Sequence, residues 1–336
     1  MNSLVTITPS APLRVLRLRR DTQGGLHGCS ATVWGCLPWQ EGPPVPARHV
    51  LHWRPPRAAP LPEAGSLVRM AWRRDHGTPQ VVRVWTLPQV DPDVDLLQTV
   101  PRSWLPTDGA LGGMPYSIMD AFASLWQRMT APWRAWFNAL FWHEPRRLQA
   151  FLTAPASLQH HHAHRHGLLL HSLDCAVRAL RLAQHDPHVD QSLLLMAALV
   201  HDVAKAEEYE WDERTQSMRL TQRGELLGHR LGVLEWLAIA RESLPEALRV
   251  PPPQALALYH AIEACNAPDW VGLRSPRTPE AHYLASVDAL SGYAQLIDAH
   301  WRQVRRQGQW SAALRRRLYC PVHDGAHTDA ARVRVA

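Results

Sequence analysis

The sequence predicts an α+β chain of two domains: a small N-terminal β-barrel or sandwich, then an all-α helical bundle. Three observations carry this. Leu13–Arg19 (L-R-V-L-R-L-R) alternates apolar and basic residues, as a half-buried strand does, and Cys29–Cys36 and Val81–Leu87 read likewise. Val90–Gly113, with Asp91, Pro92, Asp93, Pro101, Pro106, Gly112 and Gly113, has the composition of a linker. Beyond it, Leu193–Val200 together with Val203 is apolar on every side, the mark of a buried helix. The expected division is residues 1–100 for the β domain, 101–116 for the linker, 117–322 for the bundle and 323–336 for a disordered tail.

The elements follow in order. Gly24–Gly25, Gly65 and Asp75–Gly77 supply turns, and the proline-dense Pro43–Pro62 is expected as one long irregular loop. Four or five short strands in roughly 90 residues suit a small barrel or sandwich. Arg14, Arg17 and Arg19, with Arg69, Arg73, Arg74 and Arg83, give basic strand faces beside Trp34, Trp39, Trp72 and Trp85. Such faces either grip a nucleic-acid backbone, with the indoles as stacking platforms, or are the solvated side of a Trp-containing core. Ile118–Leu152 reads as helix broken near Pro132 and Pro145; its Trp126, Trp133, Trp136 and Trp142 recur near helical spacing and belong in the core. Gly167–Ala183 is an amphipathic helix with His171 inward, and Gln191–Glu207 is the buried helix. In Thr221–Ala240, Gly224 and Gly228 precede His229, and Gly228 is expected to let the backbone approach a phosphate or metal. Pro252–Cys265 carries His260, and Pro279–His300 carries Asp288 on its apolar face.

Composition bounds the function. In 336 residues, Lys plus Arg number 36 against 30 Asp plus Glu, a net charge of +6. Nearly all the cations are Arg, which suits bidentate phosphate contact but also follows from base composition alone. Against that background Lys205, the only lysine, stands out. The five cysteines are odd in number and lack a CxxC pair, which argues against a disulfide framework or a structural zinc knuckle. No signal peptide and no run of 18 apolar residues is present, so the reading is cytoplasmic with no membrane partner.

The chemistry sits in the buried run. His201 and Asp202 lie side by side at its end, with Lys205 following. A buried imidazole and carboxylate are costly unless paired, and a divalent metal pairs with both. A core histidine beside a capping aspartate would look the same, so the spacing of the other candidates matters. From His171 to His201, His229, His260 and Asp288 the steps are 30, 28, 31 and 28 residues. A hairpin of two helices of about 11–12 residues plus loops takes roughly that length. Successive hairpins could therefore bring one ligand each to a common level of a bundle.

At these residues the chain resembles the HD superfamily of metal-dependent phosphohydrolases. Pro155–Ser172 (P-A-S-L-Q-H-H-H-A-H-R-H-G-L-L-L-H-S), Leu199–Lys205 (L-V-H-D-V-A-K), Thr221–His229 and Ser275–Leu290 are similar to the YhaM-type 3′-to-5′ exoribonucleases. Those proteins join an OB-fold to an HD domain, so the resemblance implies an OB-like β-barrel ahead of an HD-domain helical bundle. It covers Trp126–Tyr319 well and the N-terminal part loosely. A G-L-L-x-H-S box also occurs in the HD domains of MobH- and TraI-type relaxases.

The resemblance implies that His171, His201, Asp202 and Asp288 hold one divalent metal. Asp202 would bridge to a second, held by His229 and His260. Asp202 and Lys205 would be the catalytic pair, and His161, His162, Arg274 and Arg277 would contact substrate. The histidines around His162 are otherwise a solvated loop. The donor set suits Mn²⁺ first, then Fe²⁺, Zn²⁺ or Ni²⁺, with Mg²⁺ less favoured. There are two departures. The family's His-His pair after the His260 position is Cys265–Asn266 here, which weakens the second site or makes Cys265 a softer ligand. Ala204 stands where the family has Gly before the lysine.

The expected function is metal-dependent phosphodiester hydrolysis, as a 3′-to-5′ exonuclease on single-stranded RNA or DNA. Alternatives are hydrolysis of nucleotides or small phosphate esters, a relaxase-like DNA-processing or nucleic-acid-binding role in a mobile element, and a degenerate scaffold. The family leaves a homo-oligomer open.

Overall fold

The computed structural model describes residues 12–21, 28–39, 45–56, 59–76, 78–106, 118–158, 162–212, 214–215, 217–264, 275–303 and 308–319. The chain divides into two compact units. One is Met1–Trp104 with Asn138–Leu148; the other is Leu105–Phe137 with Gln149–Ala336.

The first unit is built on five antiparallel strands: β1 (Leu13–Asp21), β2 (Gly28–Gly35), β3 (Ala47–Trp53), β4 (Leu67–Asp75) and β5 (Thr78–Thr86). Their order across the sheet is β3-β2-β1-β4-β5. Period-two alternation buries one face: Leu13, Val15, Ala31, Val33, Leu51, Trp53, Val68, Met70 and Val84 form its core. β3 lies inside the proline-dense stretch expected as loop. The prolines flank it, and A-R-H-V-L-H-W between them pairs along its whole length with β2. A register shift between Val15 and Arg17 puts Arg14, opposite Trp34, and Arg17, opposite Thr32, on the same side of the sheet. Arg17 and Arg19 are exposed, whereas Arg14 is buried.

Arg14 is therefore not part of a basic surface. Its guanidinium donates to the Thr99 carbonyl at 3.1 Å, to Thr99 Oγ1 at 2.6 Å and to the Gly65 carbonyl at 2.7 Å. Burial pushes its pKa down to about 9. It ties strand β1 to the short 3₁₀ turn Leu96–Thr99. Trp142 likewise donates its indole N–H to the Leu87 carbonyl.

The second unit is helical: α1 (Ile118–Arg128), α2 (Ala131–Ala139), α3 (Pro145–Thr153), α4 (Gly167–Ala183), α5 (Gln191–Val200), α6 (Lys205–Glu208), α7 (Gln222–Leu226), α8 (Gly228–Ser243), α9 (Pro252–Glu263) and α10 (Pro279–Gln303), with α2 and α3 shared in part with the first unit. Helix α5 packs against α1, α4, α9 and α10. Its residues Ser192–Val200 are all buried, as a helix apolar on every side requires. Asp190 caps its N-terminus through the Leu193 N–H. Trp136 is fully buried, stacks on Trp133 and donates to the Leu237 carbonyl at 2.9 Å.

The unit is not purely helical. Two small antiparallel hairpins interrupt it: β6 (Tyr209–Asp212) with β7 (Ser217–Leu220), and β8 (Gln309–Ser311) with β9 (Arg316–Leu318). In the first, Glu210 faces Arg219 across the ladder with an ion pair at 2.6 Å. Among the described residues no helix is long and apolar enough to cross a membrane.

The Arg14 clamp gives a direct test. Arg14→Ala leaves the Thr99 hydroxyl and two carbonyls short of donors and opens a void, and should cost about 2–4 kcal/mol. Arg17→Ala, on the exposed side of the same strand, should stay within about 0.5 kcal/mol. Urea unfolding of both variants checks this; equal effects would contradict the clamp.

Candidate metal centre

The site begins where helix α4 starts. His162 and His166 both have left-handed backbone, at φ 51° and 69°. The His162 carbonyl accepts the Ala156 N–H at 3.1 Å, and the His166 ring bonds the Leu152 carbonyl at 2.6 Å. This corner presses onto the helix start so closely that a Cβ on Gly167 would lie 1.9 Å from the His162 carbonyl oxygen. Gly167 is thus needed for close approach. One turn later His171 is fully buried, with Nδ1 against Ser291 Oγ of α10 at 3.1 Å.

Helix α5 stops at Val200 rather than running on to Glu207. Its last bond is His201 N–H to the Ala197 carbonyl. From Val203 to Glu207 the chain then closes i→i+3 bonds, a tighter winding. This turn swings Asp202 off the apolar helix face. His201 Nδ1 is held by the Ala198 carbonyl at 3.0 Å.

Four ligating atoms converge here. His171 Nε2 lies 3.2 Å from His201 Nε2, 3.5 Å from Asp202 Oδ2 and 3.2 Å from Asp288 Oδ1. His201 Nε2 lies 3.6 Å from Asp202 Oδ2 and 3.8 Å from Asp288 Oδ1. Ligands about 2.1 Å from one ion, at angles near 90–110°, sit about 3.0–3.4 Å apart. The residues present therefore fit a divalent cation at their centre with small inward shifts. Two imidazoles and two carboxylates suit a first-row divalent ion.

The electrostatics agree. Burial alone would raise the Asp202 pKa; Lys205, then His201 and His229, outweigh it and hold the group well below the usual carboxylate range. Burial likewise opposes Asp288, but the hydrogen bond to His171 and the charge of His201 bring it to about 2. Burial lowers the His201 pKa, which favours the neutral ring a metal needs. Lys205 Nζ donates to Asp202 Oδ2 at 2.7 Å.

The other sequence-predicted residues divide by where the fold places them. His229 joins the site: its Nε2 faces Asp202 Oδ1 at 3.2 Å and its Nδ1 faces Glu208 Oε2 at 2.7 Å. His162 sits beside it, its ring 5.5 Å from that of His171, with Gln295 bonding both its backbone N–H and its Nδ1. His260 turns elsewhere, its Nε2 accepting the Arg277 backbone N–H at 3.0 Å. Arg277 is exposed, and His161, Arg274, Cys265 and Asn266 lie outside the described residues. Gly228 has φ 66° and open space around a would-be Cβ. Its role is thus the left-handed turn into α8, not close approach.

Sequence reasoning missed Glu208, Ser291, Gln295 and Cys175. The i, i+4 spacing of His171 and Cys175, and the i, i+3 spacing of Asp288 and Ser291, were the available signals. Cys175 belongs to a cluster with His171, His201 and Asp288 whose ligand atoms lie within 4.8 Å of one another. Its Sγ is nearly equidistant from the two His171 nitrogens, at 3.8 and 3.9 Å. The sulfur thus packs beside the ring instead of along the Nε2 lone pair. Burial raises its pKa well above that of an ordinary thiol. The cleft over the site is lined by His201, Asp202, Lys205, His229, Arg230, Ile262 and Asp288.

Burial would lower the His229 pKa, but its bonds to Asp202 and Glu208 raise it to about 9 in the metal-free protein. A raised histidine pKa adds stability that is full below the ordinary value of 6.5 and is lost as pH rises through 9. Metal-free wild type should therefore lose up to about 3 kcal/mol more than His229→Gln between those limits. Asp288 has the opposite sign: its contribution holds above 3.8 and fades as pH falls towards 2. Denaturant titrations in chelator at several pH values check both; parallel curves for wild type and His229→Gln would contradict the first.

Comparison with known proteins found one matching family and several relatives. The HD domain family matches residues 168–292. The curated 3′-5′ exoribonuclease YhaM of Bacillus licheniformis is 27% identical over 177 residues, 51% of this chain and 54% of the relative. YhaM of Bacillus subtilis is 27% identical over 156 residues, 46% and 48% of the two chains. YhaM of Listeria innocua is 26% identical over 149 residues, 44% and 45%. The chain spans about half the length of these relatives. No solved structure matches the chain significantly. Residues 168–292, which hold His171, His201, Asp202, His229, His260 and Asp288, thus match the HD domain family, in a chain about half of which is similar to YhaM exoribonucleases.

Proposed function

We propose that this chain is an HD-type metal-dependent phosphodiesterase that acts as a 3′-to-5′ exonuclease on single-stranded nucleic acid. The observation that carries the reading is the convergence of Asp202 and Asp288 on the paired His171 and His201 rings, at 3.2–3.8 Å, beneath a cleft. These four would hold the ion, with Mn²⁺ the favoured metal. A divalent ion bound there supplies Lewis-acid polarisation of phosphoryl oxygens and makes water acidic enough to attack near neutral pH. The protein's own groups do the rest. Lys205 holds the Asp202 carboxylate in place and offsets its charge. Lys205, His229 and Arg230 give the cleft a cationic wall that favours a phosphodiester. His162, braced by Gln295, backs the His171 ring and closes the site on that side.

The N-terminal sheet supports the same reading. Its order β3-β2-β1-β4-β5, with edge strands β3 and β5 approaching each other, fits a partly open OB-like barrel. On the outward side of β1–β3, exposed Arg17, Arg19, Arg48 and His52 share a face with the half-buried Trp34, with Arg48 directly opposite it. Cations on one face with an indole suit a single strand, whose phosphates and bases they would contact. The free thiols of Cys36 and Cys175 suit a reducing, cytoplasmic setting.

The test is digestion of 5′-labelled single-stranded RNA, and of the same sequence as DNA, with Mn²⁺. The reading predicts a ladder shortening from the 3′ end that falls to background in Asp202→Ala and in Asp288→Asn. The preferred polymer names the substrate. No cleavage of either, with hydrolysis of mononucleotides or small phosphate esters lost in the same variants, would transfer the function to small substrates. No hydrolysis at all would contradict it.

A further inference from the structure

Four histidines of the helical unit are held at one ring nitrogen in ways that sort them. His171 Nδ1 is anchored by Ser291 Oγ, His201 Nδ1 by the Ala198 carbonyl and His229 Nδ1 by Glu208 Oε2. In each of these three, Nε2 is left pointing at Asp202, at 3.5, 3.6 and 3.2 Å. His260 is reversed: Nε2 is the nitrogen taken, by a backbone N–H. A histidine that binds a metal almost always gives its other ring N–H to a carboxylate, carbonyl or similar acceptor, which fixes the tautomer and the ring direction. His229 has that arrangement with a carboxylate, the strongest of the three anchors.

Asp202 divides its two oxygens between these rings. Oδ2 faces His171 and His201, and Oδ1 faces His229. Glu208 is itself built into place. Its side chain is only 12% exposed, and its carbonyl accepts the Thr221 N–H at 2.9 Å. A Cβ on Gly224 would come within 2.5 Å of that carbonyl oxygen and 2.9 Å of the Glu208 Cγ. Both chain segments that carry the pair are therefore packed around the Glu208–His229 bond.

We infer that Glu208 is a positioning residue, one that orients His229 so that a second divalent ion can be held between His229 Nε2 and Asp202 Oδ1. The inference rests on the reading of the cleft as a metal centre. It adds that a second ion depends on a Glu208–His229–Asp202 chain, with His260 turned away.

The experiment is calorimetric titration of the metal-free full chain with Mn²⁺, without any nucleic acid, alongside metal counting by mass spectrometry. Wild type should bind two ions, and His229→Ala should lose one of them. Glu208→Ala should weaken that same event about 10–100-fold and leave the other unchanged. Glu208→Gln keeps an acceptor for Nδ1–H and should restore most of the affinity, a rescue that a general packing role would not give. Circular dichroism of the metal-free variants shows whether they fold. A wild type that binds one ion, or a Glu208→Ala protein that binds both as wild type does, would overturn the inference. So would equal weakening of both events. In all three cases a surviving event that requires Asp288 leaves the phosphodiesterase reading standing. Absence of any event in wild type overturns that reading as well.

Discussion

Everything in the helical unit is arranged around the Asp202 carboxylate. It is a charge in a nearly dry place, which a folded chain tolerates only if the charge is paired. Lys205 is in contact at 2.7 Å, three imidazoles face its two oxygens, and Asp288 shares two of those imidazoles with it. Without a cation this is a set of imidazole and carboxylate ligand atoms crowded at 3.2–3.8 Å around the His171 and His201 rings. With one, the same crowding becomes coordination. The structure thus gathers two imidazoles and two carboxylates at one point at the end of an apolar helix.

The helices explain how the point is reached. The apolar α5 cannot itself carry two polar ligands on a buried face. It ends at Val200, and the tighter turn that follows presents His201 and Asp202 beyond the last apolar layer. Helix α4 delivers His171 and α10 delivers Asp288, with Ser291 one turn on to fix the His171 ring. Three glycines serve three purposes here. Gly167 admits the His162 carbonyl, Gly224 admits Glu208, and Gly228 turns the chain into α8 ahead of His229.

Much of this was legible in the sequence, for physical reasons. The extent of α4 follows from its amphipathic pattern, and β1 from apolar–basic alternation. The HD-domain resemblance was likewise readable from the His-Asp pair and its neighbours, and residues 168–292 match that family. What was not legible depended on side-chain direction. Arg14 has the alternation of an outward-facing residue, and only the fold covers it, with Thr99 and Gly65. His260 has the right spacing, but its ring faces Arg277. Glu208 sits in a charged stretch that reads as a solvated helix end, and only the fold brings it to His229. Strand β3 was hidden because its flanking prolines dominate the composition of the segment.

The most direct measurement is anomalous diffraction from crystals equilibrated with Mn²⁺, recorded on both sides of the manganese edge. The account predicts a peak about 2.0–2.3 Å from His171 Nε2, His201 Nε2, Asp202 and Asp288. It predicts that the peak vanishes in Asp288→Asn. Crystals that take up no Mn²⁺, Fe²⁺ or Zn²⁺ at these four residues, with the side chains still 3.2–3.8 Å apart, would contradict it.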